Sequence, residues 1–146
     1  MSRSDFDRVY RREYVPLLRL AVVIIGDREV AEEVVHDAFT QAWKRWDALE
    51  RPGGFLHRCV VNGSITAGRR RKPWPVLARR ETESEPTEVL DDVLAQLPPA
   101  QRAVVVLRFW QDLPLAEIAA VLGRPLNTVK SDLRRALAAL SEELER

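Results

Sequence analysis

Cysteine is nearly absent from this chain of 146 residues. Cys59 stands alone, which excludes an internal disulfide framework and a multi-cysteine zinc site. Histidine is almost as scarce, at two residues, and no glycine-rich phosphate loop is present. No nucleophile–base pair or nucleotide cradle can be assembled from such a set. Long apolar runs are missing too: the longest, Leu20 to Ile25, has six residues and cannot span a bilayer. Met1 opens into the polar SRSDFDR instead of an apolar stretch, so neither a secretory signal nor membrane insertion is expected, and the location is expected to be cytoplasmic. The length suits one domain or two small ones, each too small for a deep active-site cleft. These absences point away from an enzyme, and no metal or other cofactor is expected.

What the chain does have is charge, at 31% of residues, beside 46% apolar types, the composition of a soluble folded protein. Lys and Arg number 23 against 22 Asp and Glu, a formal +1 that by itself argues against a polycation. Order along the chain says otherwise. Residues 1–50 sum to −2, whereas 51–80 hold eight basic and no acidic residues. Residues 81–92 then hold six acidic and no basic ones, and 93–146 sum to +1. A basic block followed at once by an acidic one suggests nucleic acid as a partner.

Helical periodicity runs through both halves, and nothing alternates with period two. Phe6, Val9, Tyr10 and Tyr14, then Leu17, Leu18, Ala21, Ile24 and Ile25, form a first apolar set, with Pro16 predicting a kink or a break. Gly26 and Asp27 read as the end of that helix and the N-cap of the next. The next carries the strongest stripe, from Val30 and Ala31 through Phe39 to Trp43 and Trp46, opposite Glu29, Glu33, Asp37 and Gln41 at i+4 steps. Pro52-Gly53-Gly54 breaks the chain before a third helix from Phe55 to about Arg71, with Leu56, Cys59, Val60 and Ala67 inward. Phe55, Arg58, Asn62 and Arg69 share another face of it. Residues 73–88, with Pro73, Pro75 and Pro86, read as a linker. The expected architecture is all-α: two small helical domains, 1–72 and 89–146, joined by that linker.

The second domain holds the informative motif. A short helix at 114–122 is closed by Gly123, and another starts near Leu126 with Val129, Leu133, Ala136, Leu137 and Leu140 inward. Ala119 lies four residues before Gly123 and Val129 six after it, the spacing of a helix-turn-helix with Ile118, Leu122 and Val129 as its core. The solvent side of the last helix offers Asn127, Thr128, Lys130, Ser131, Arg134 and Arg135, donors suited to phosphates and base edges in a major groove.

LPPAQRAVVVLRFWQDLPLAEIAAVLGRPLNTVKSDLRRALAAL resembles region four of extracytoplasmic-function sigma factors. FDRVYRREYVPLLRLAVVIIGDREVAEEVVHDAFTQAWKRW, followed by FLHRCVVNGSITAGRRRK, resembles their region two. The resemblance implies a specificity subunit that binds RNA polymerase core, at its clamp helices and flap, and directs it to promoter DNA. It implies that Glu33, His36, Asp37 and Gln41 contact the core. An acidic stripe opposite an apolar one also suits a basic partner helix on chemical grounds. Trp46, Arg51, Phe55, Arg58, Asn62, Arg69, Arg70 and Arg71 would hold the melted downstream element, by stacking and by cationic contact. Asn127, Thr128, Lys130, Ser131, Arg134 and Arg135 would read the upstream duplex. The family layout also implies an anti-sigma partner clamping the two domains.

Two residues depart from the pattern. Asp132 stands where the family more often has a base, and pairing with Arg135 is its preferred explanation over a cytosine contact. Pro114 occupies a usual N-cap position. The alternatives to a sigma factor are a stand-alone helix-turn-helix regulator and a sigma-like protein-interaction adaptor. Core binding separates the first, and promoter-dependent transcription the second.

Overall fold

The computed structural model describes residues 2–69 and 92–145, and every regular element among them is helical. The chain divides into two units, Met1–Gly68 and Arg69–Arg146. The expected linker, 73–88, and the candidates Arg70 and Arg71 lie outside the described residues.

In the first unit α1 spans Arg3–Ile25, α2 Arg28–Lys44 and α3 Pro52–Arg69, with a 3₁₀ turn at Trp46–Ala48. A capping box starts α1: the Ser2 side chain accepts from the Asp5 N–H, and the Asp5 carboxylate accepts from the Ser2 N–H at 2.9 Å. The backbone and side-chain hydrogen bonds from Ser2 hold the Asp5 carboxyl below its ordinary range. Gly26 closes α1 in the left-handed region (φ 86°), and the Asp27 carboxylate caps α2 by accepting from the Val30 N–H at 3.0 Å.

The predicted interruption at Pro16 does not break the helix, for α1 runs through it. Proline removes the bond to the Arg12 carbonyl and crowds it, but both residues lie on the solvent side, where that carbonyl is open to water. Leu17, Leu18, Ala21 and Ile25 meanwhile hold α1 against Ala31, Val35, Ala38, Phe39 and Ala42 of α2. Pro52-Gly53-Gly54 is likewise the first turn of α3 and not a loop, since Pro is preset for that position. Leu56 and Val60 point inward as expected and are joined by Val61, Ser64 and Ile65, while Cys59 and Ala67 are half-buried.

In the second unit residues 92–95 are helical and bury Val93 and Leu94. Next come α4 at Pro99–Val105, a π-helical turn at Val106–Trp110, α5 at Leu115–Leu122 and α6 at Leu126–Glu145. Apolar spacing predicts ordinary helix where the π turn stands. That turn ends with the Gln111 N–H bonding the Val106 carbonyl, five residues back, and Asp112 follows with φ 55°. Pro114 sits at the N-cap of α5 without a side-chain cap, and its carbonyl starts the helix by accepting from Ile118 N–H at 3.0 Å. The core is aliphatic, built from Leu97, Ala103, Val104, Leu107, Ile118, Leu122, Val129 and Ala136. Leu137, expected inward, is exposed.

Candidate nucleic-acid interface

The turn between α5 and α6 is built by backbone bonds. Gly123 takes the left-handed conformation (φ 63°), its N–H reaches the Ala120 carbonyl at 3.4 Å, and the Arg124 N–H reaches the Ala119 carbonyl at 3.1 Å. These are the paired bonds of a Schellman ending, which satisfy carbonyls that α5 would otherwise leave open. The Pro125 carbonyl then accepts from the Thr128 and Val129 N–H groups and starts α6. Val129 and Ala136 face the core with no exposure. On the same helix Asn127, Thr128, Lys130, Arg134 and Arg135 are exposed, and Ser131 is half-buried. All six upstream candidates thus begin within the first three turns of one helix, five of them open to solvent.

Asp132 does not pair with Arg135. It is buried, at 8% exposure, and its Oδ2 lies 3.4 Å from Nη1 of Arg124, in the interhelical turn. The i+3 partner loses because Asp132 points inward while Arg135 points out.

On α3, Phe55, Arg58, Asn62 and Arg69 fall on one stripe, with Arg51 just before its first turn. Arg51, Arg58 and Arg69 are exposed, and Phe55 and Asn62 half-buried. The Asn62 amide donates to the Arg58 carbonyl at 2.9 Å. Trp46 leaves the candidate set. It is buried at 5% exposure, its indole N–H donates to the Ser2 carbonyl at 3.2 Å, and Phe6 meets it edge to face at 5.1 Å. No face remains on which a base could stack. The sequence missed Arg45, the residue after α2, whose guanidinium lies 5.9 Å from the Phe55 ring centroid.

Glu33, His36, Asp37 and Gln41 are all exposed on α2, opposite the buried Ala31, Val35, Ala38 and Phe39. Cys59 is a quiet thiol: burial pushes its pKa up, against the opposing pull of Arg45 and Arg58. Among the described residues no cluster of His, Cys, Asp and Glu suits a metal ion, and no helix is long and apolar enough to cross a membrane.

Two surprises lie in the second unit. Arg102, within LPPAQR, is buried at 7% exposure, and its guanidinium donates to the carbonyls of Leu94 (2.7 Å), Ala95 (3.0 Å) and Leu97 (2.8 Å). It thereby fastens the end of the helical segment at 92–95 to α4. Phe109 and Trp110, on the π turn, are 60% and 53% exposed, an apolar pair of the kind protein partners cover.

Residues 9–73 match the family described as Sigma-70 region 2, and residues 87–140 match Sigma-70, region 4. The chain is 36% identical over 152 residues to the RNA polymerase sigma-E factor of Streptomyces coelicolor, covering 96% of this chain and 86% of that protein. It is 34% identical over 156 residues to the ECF RNA polymerase sigma factor SigM of Mycobacterium tuberculosis, covering 98% and 79% respectively. Among solved structures it resembles CnrH in complex with the cytosolic domain of CnrY, at 27% identity and a TM-score of 0.73 over 99% of this chain and 90% of that one. The fold also matches the sigma factor RpoE of Bartonella quintana, solved with the anti-sigma factor NepR, at 22% identity and a TM-score of 0.74 over 97% of both chains.

Proposed function

Because this chain belongs to the sigma-70 family, as an extracytoplasmic-function sigma factor, we propose a division of labour between its two units in directing RNA polymerase to promoters. The chain binds polymerase core and promoter DNA and sets where transcription starts. Polymerisation is the partner's chemistry, carried out in the cytoplasm. Residues 1–72 act as region two, 89–146 as region four, and 73–88 as the connection.

The observation that carries this reading is the donor row on α6, held over a small apolar core by a helix-turn-helix. Asn127, Thr128, Lys130, Ser131, Arg134 and Arg135 read upstream duplex in the major groove. Phe55, with Arg45 over its ring, offers the stacking surface that a melted base requires, and Arg51, Arg58, Asn62 and Arg69 to Arg71 offer polar and cationic contacts to the strand. Glu33, His36, Asp37 and Gln41 form the polar face that meets the clamp helices. The exposed Phe109–Trp110 pair supplies the second unit with an apolar surface for the flap. An anti-sigma factor, the partner named in one solved relative, would compete for such faces.

Reconstituted transcription with purified core over a promoter library tests the function, and initiation confined to a shared upstream and downstream sequence is expected. Binding to DNA without binding to core would replace this reading with a stand-alone regulator. Neutralising Arg69, Arg70 and Arg71 together should weaken promoter complexes and make their log–log salt dependence shallower by about 0.7 for each single-strand phosphate no longer neutralised. Affinity for core should not change. A retained salt slope would mean that the basic block is only a solvated face.

A further inference from the structure

Within the donor row of α6, Asp132 faces the other way. Its neighbours Lys130, Arg134 and Arg135 are exposed, whereas Asp132 is buried and its Oδ2 stands 3.4 Å from Nη1 of Arg124. Arg124 is the residue whose N–H closes the turn onto Ala119, and it precedes Pro125, whose carbonyl starts α6. The ion pair therefore ties the turn to the second turn of α6, over and above the backbone bonds.

The pair also disposes of two charges. An unpaired carboxylate among Lys130, Ser131 and Arg134 would set a negative potential where phosphate has to approach. An unpaired Arg124 at the mouth of α6 would be a cation that seeks phosphate without regard to sequence. Joined, the two leave the field at the helix to residues that can reach base edges.

We propose that Arg124 and Asp132 form a charge-cancelling clasp for duplex reading, withholding Arg124 from nonspecific phosphate contact and masking the Asp132 carboxylate from the phosphates that Lys130 and Arg134 approach. The clasp rests on the reading of α6 as the helix that recognises DNA. Neither residue is a base reader; both act through Lys130, Ser131, Arg134 and Arg135.

The experiment uses the full chain bound to polymerase core and two duplexes, one selected by wild-type holoenzyme from a random promoter library and one unselected. Affinities are measured across a potassium chloride series. Arg124→Gln leaves the carboxylate unpaired and should weaken binding to the selected duplex about tenfold. Asp132→Asn releases Arg124 and should tighten binding to the unselected duplex, steepening its log–log salt slope by about 0.9, the value of one more phosphate neutralised. The double variant removes both charges and should return selected-duplex affinity to near the wild-type value. It also keeps the test open should Arg124→Gln fold poorly.

A merely structural link would weaken both single variants in parallel and could not tighten either. Parallel losses, or additive losses in the double variant, overturn the clasp while leaving upstream recognition intact. A wild-type holoenzyme that enriches no upstream sequence overturns both the clasp and the reading beneath it.

Discussion

Between residues 2 and 69, aromatic rings are gathered together. Phe6 touches Phe39, Trp43 and Trp46 at centroid distances of 6.2, 5.0 and 5.1 Å, all near edge to face, and Tyr10 and Tyr14 stack at 5.3 Å beside them. Ser64 is the one buried polar side chain described there, and no charged group is buried. Between residues 92 and 145 the assignment is reversed. The interior is aliphatic, Arg102 and Asp132 are buried in it, and Phe109 and Trp110 stand in solvent. Edge-to-face ring pairs add to the apolar area the rings cover, so the cluster braces α1 against α2 and the turn that follows it over a wide contact. A buried guanidinium or carboxylate is directional and costly to misplace, so it fixes a turn at one point. Aliphatic side chains fill both interiors; the first unit adds a cluster of rings to them, the second two anchored charges.

The largest test of that contrast is in the first unit. Trp46→Ala should cost about 3–5 kcal/mol of stability, the usual range for deleting a buried large ring. Trp43 is 48% exposed although it contacts the same Phe6, so Trp43→Ala should cost about 1 kcal/mol from the partial loss of ring packing. Trp46→Phe keeps one aromatic ring but loses the rest of the indole and its donor to the Ser2 carbonyl, a loss of about 2 kcal/mol, between those of the two alanine variants. Denaturant titrations, with hydrogen exchange resolved by peptide to assign the loss to residues 2–69, give the ranking. Equal costs at positions 43 and 46 would mean that burial of rings is not what holds this unit.

In the second unit the corresponding change is chemically conservative. Arg102→Lys keeps the charge but replaces a planar fork with a point donor that cannot meet the Leu94, Ala95 and Leu97 carbonyls together. A cost of about 2–3 kcal/mol is expected from the carbonyls left without their donor. Exchange protection should fall around 92–107 and stay unchanged in 2–69. Arg102→Met, which fills the space without any donor, should be no better than Lys. Were Met to match wild type, the anchor would be packing, and the two units would be alike.

The same contrast explains what the sequence makes legible. Gly26, Asp27 and Gly123 are readable because each acts through its own backbone or its nearest neighbours. Ile118, Leu122 and Val129 are readable because apolar spacing carries the inward direction with it. Arg102 and Asp132 are not: a charged residue in a helical pattern reads as solvent face, and only carbonyls five to eight residues away, or an arginine across a turn, reveal otherwise. Trp46 and Trp43 both stand on the apolar stripe, whose spacing gives an inward position for each, and the structure keeps it for Trp46 alone. The chain tightens there into a 3₁₀ turn that sends Trp46 inward and leaves Trp43 out. Arg45 over Phe55 escapes for a related reason, since two elements must fold before a cation and a ring ten residues apart can meet. Pro16 misleads in the other direction, because its local cost says nothing of the apolar contacts that keep α1 whole.

The smallest test sets one glycine against another. A methyl group on Gly63, inside α3, would meet Val34 Cγ1 of α2 at 3.1 Å. Helix propensity favours alanine there by about 1 kcal/mol, and Val34 must yield by a few tenths of an ångström to accept it. The two effects oppose, so Gly63→Ala should change stability by no more than about 1 kcal/mol in either direction. A methyl on Gly123 meets nothing within 4 Å, yet φ is +63°. Its cost, about 1–2 kcal/mol, is therefore all backbone conformation and should appear in full. In the first unit the outcome is decided by what the side chain touches, in the second by the path of the chain. If Gly123→Ala were neutral, the turn would have relaxed out of the left-handed region, and the Arg124 N–H bond to the Ala119 carbonyl should then lose its exchange protection. Retained protection with no loss of stability would instead show that the turn carries no strain, and that side-chain anchors alone set the direction of α6.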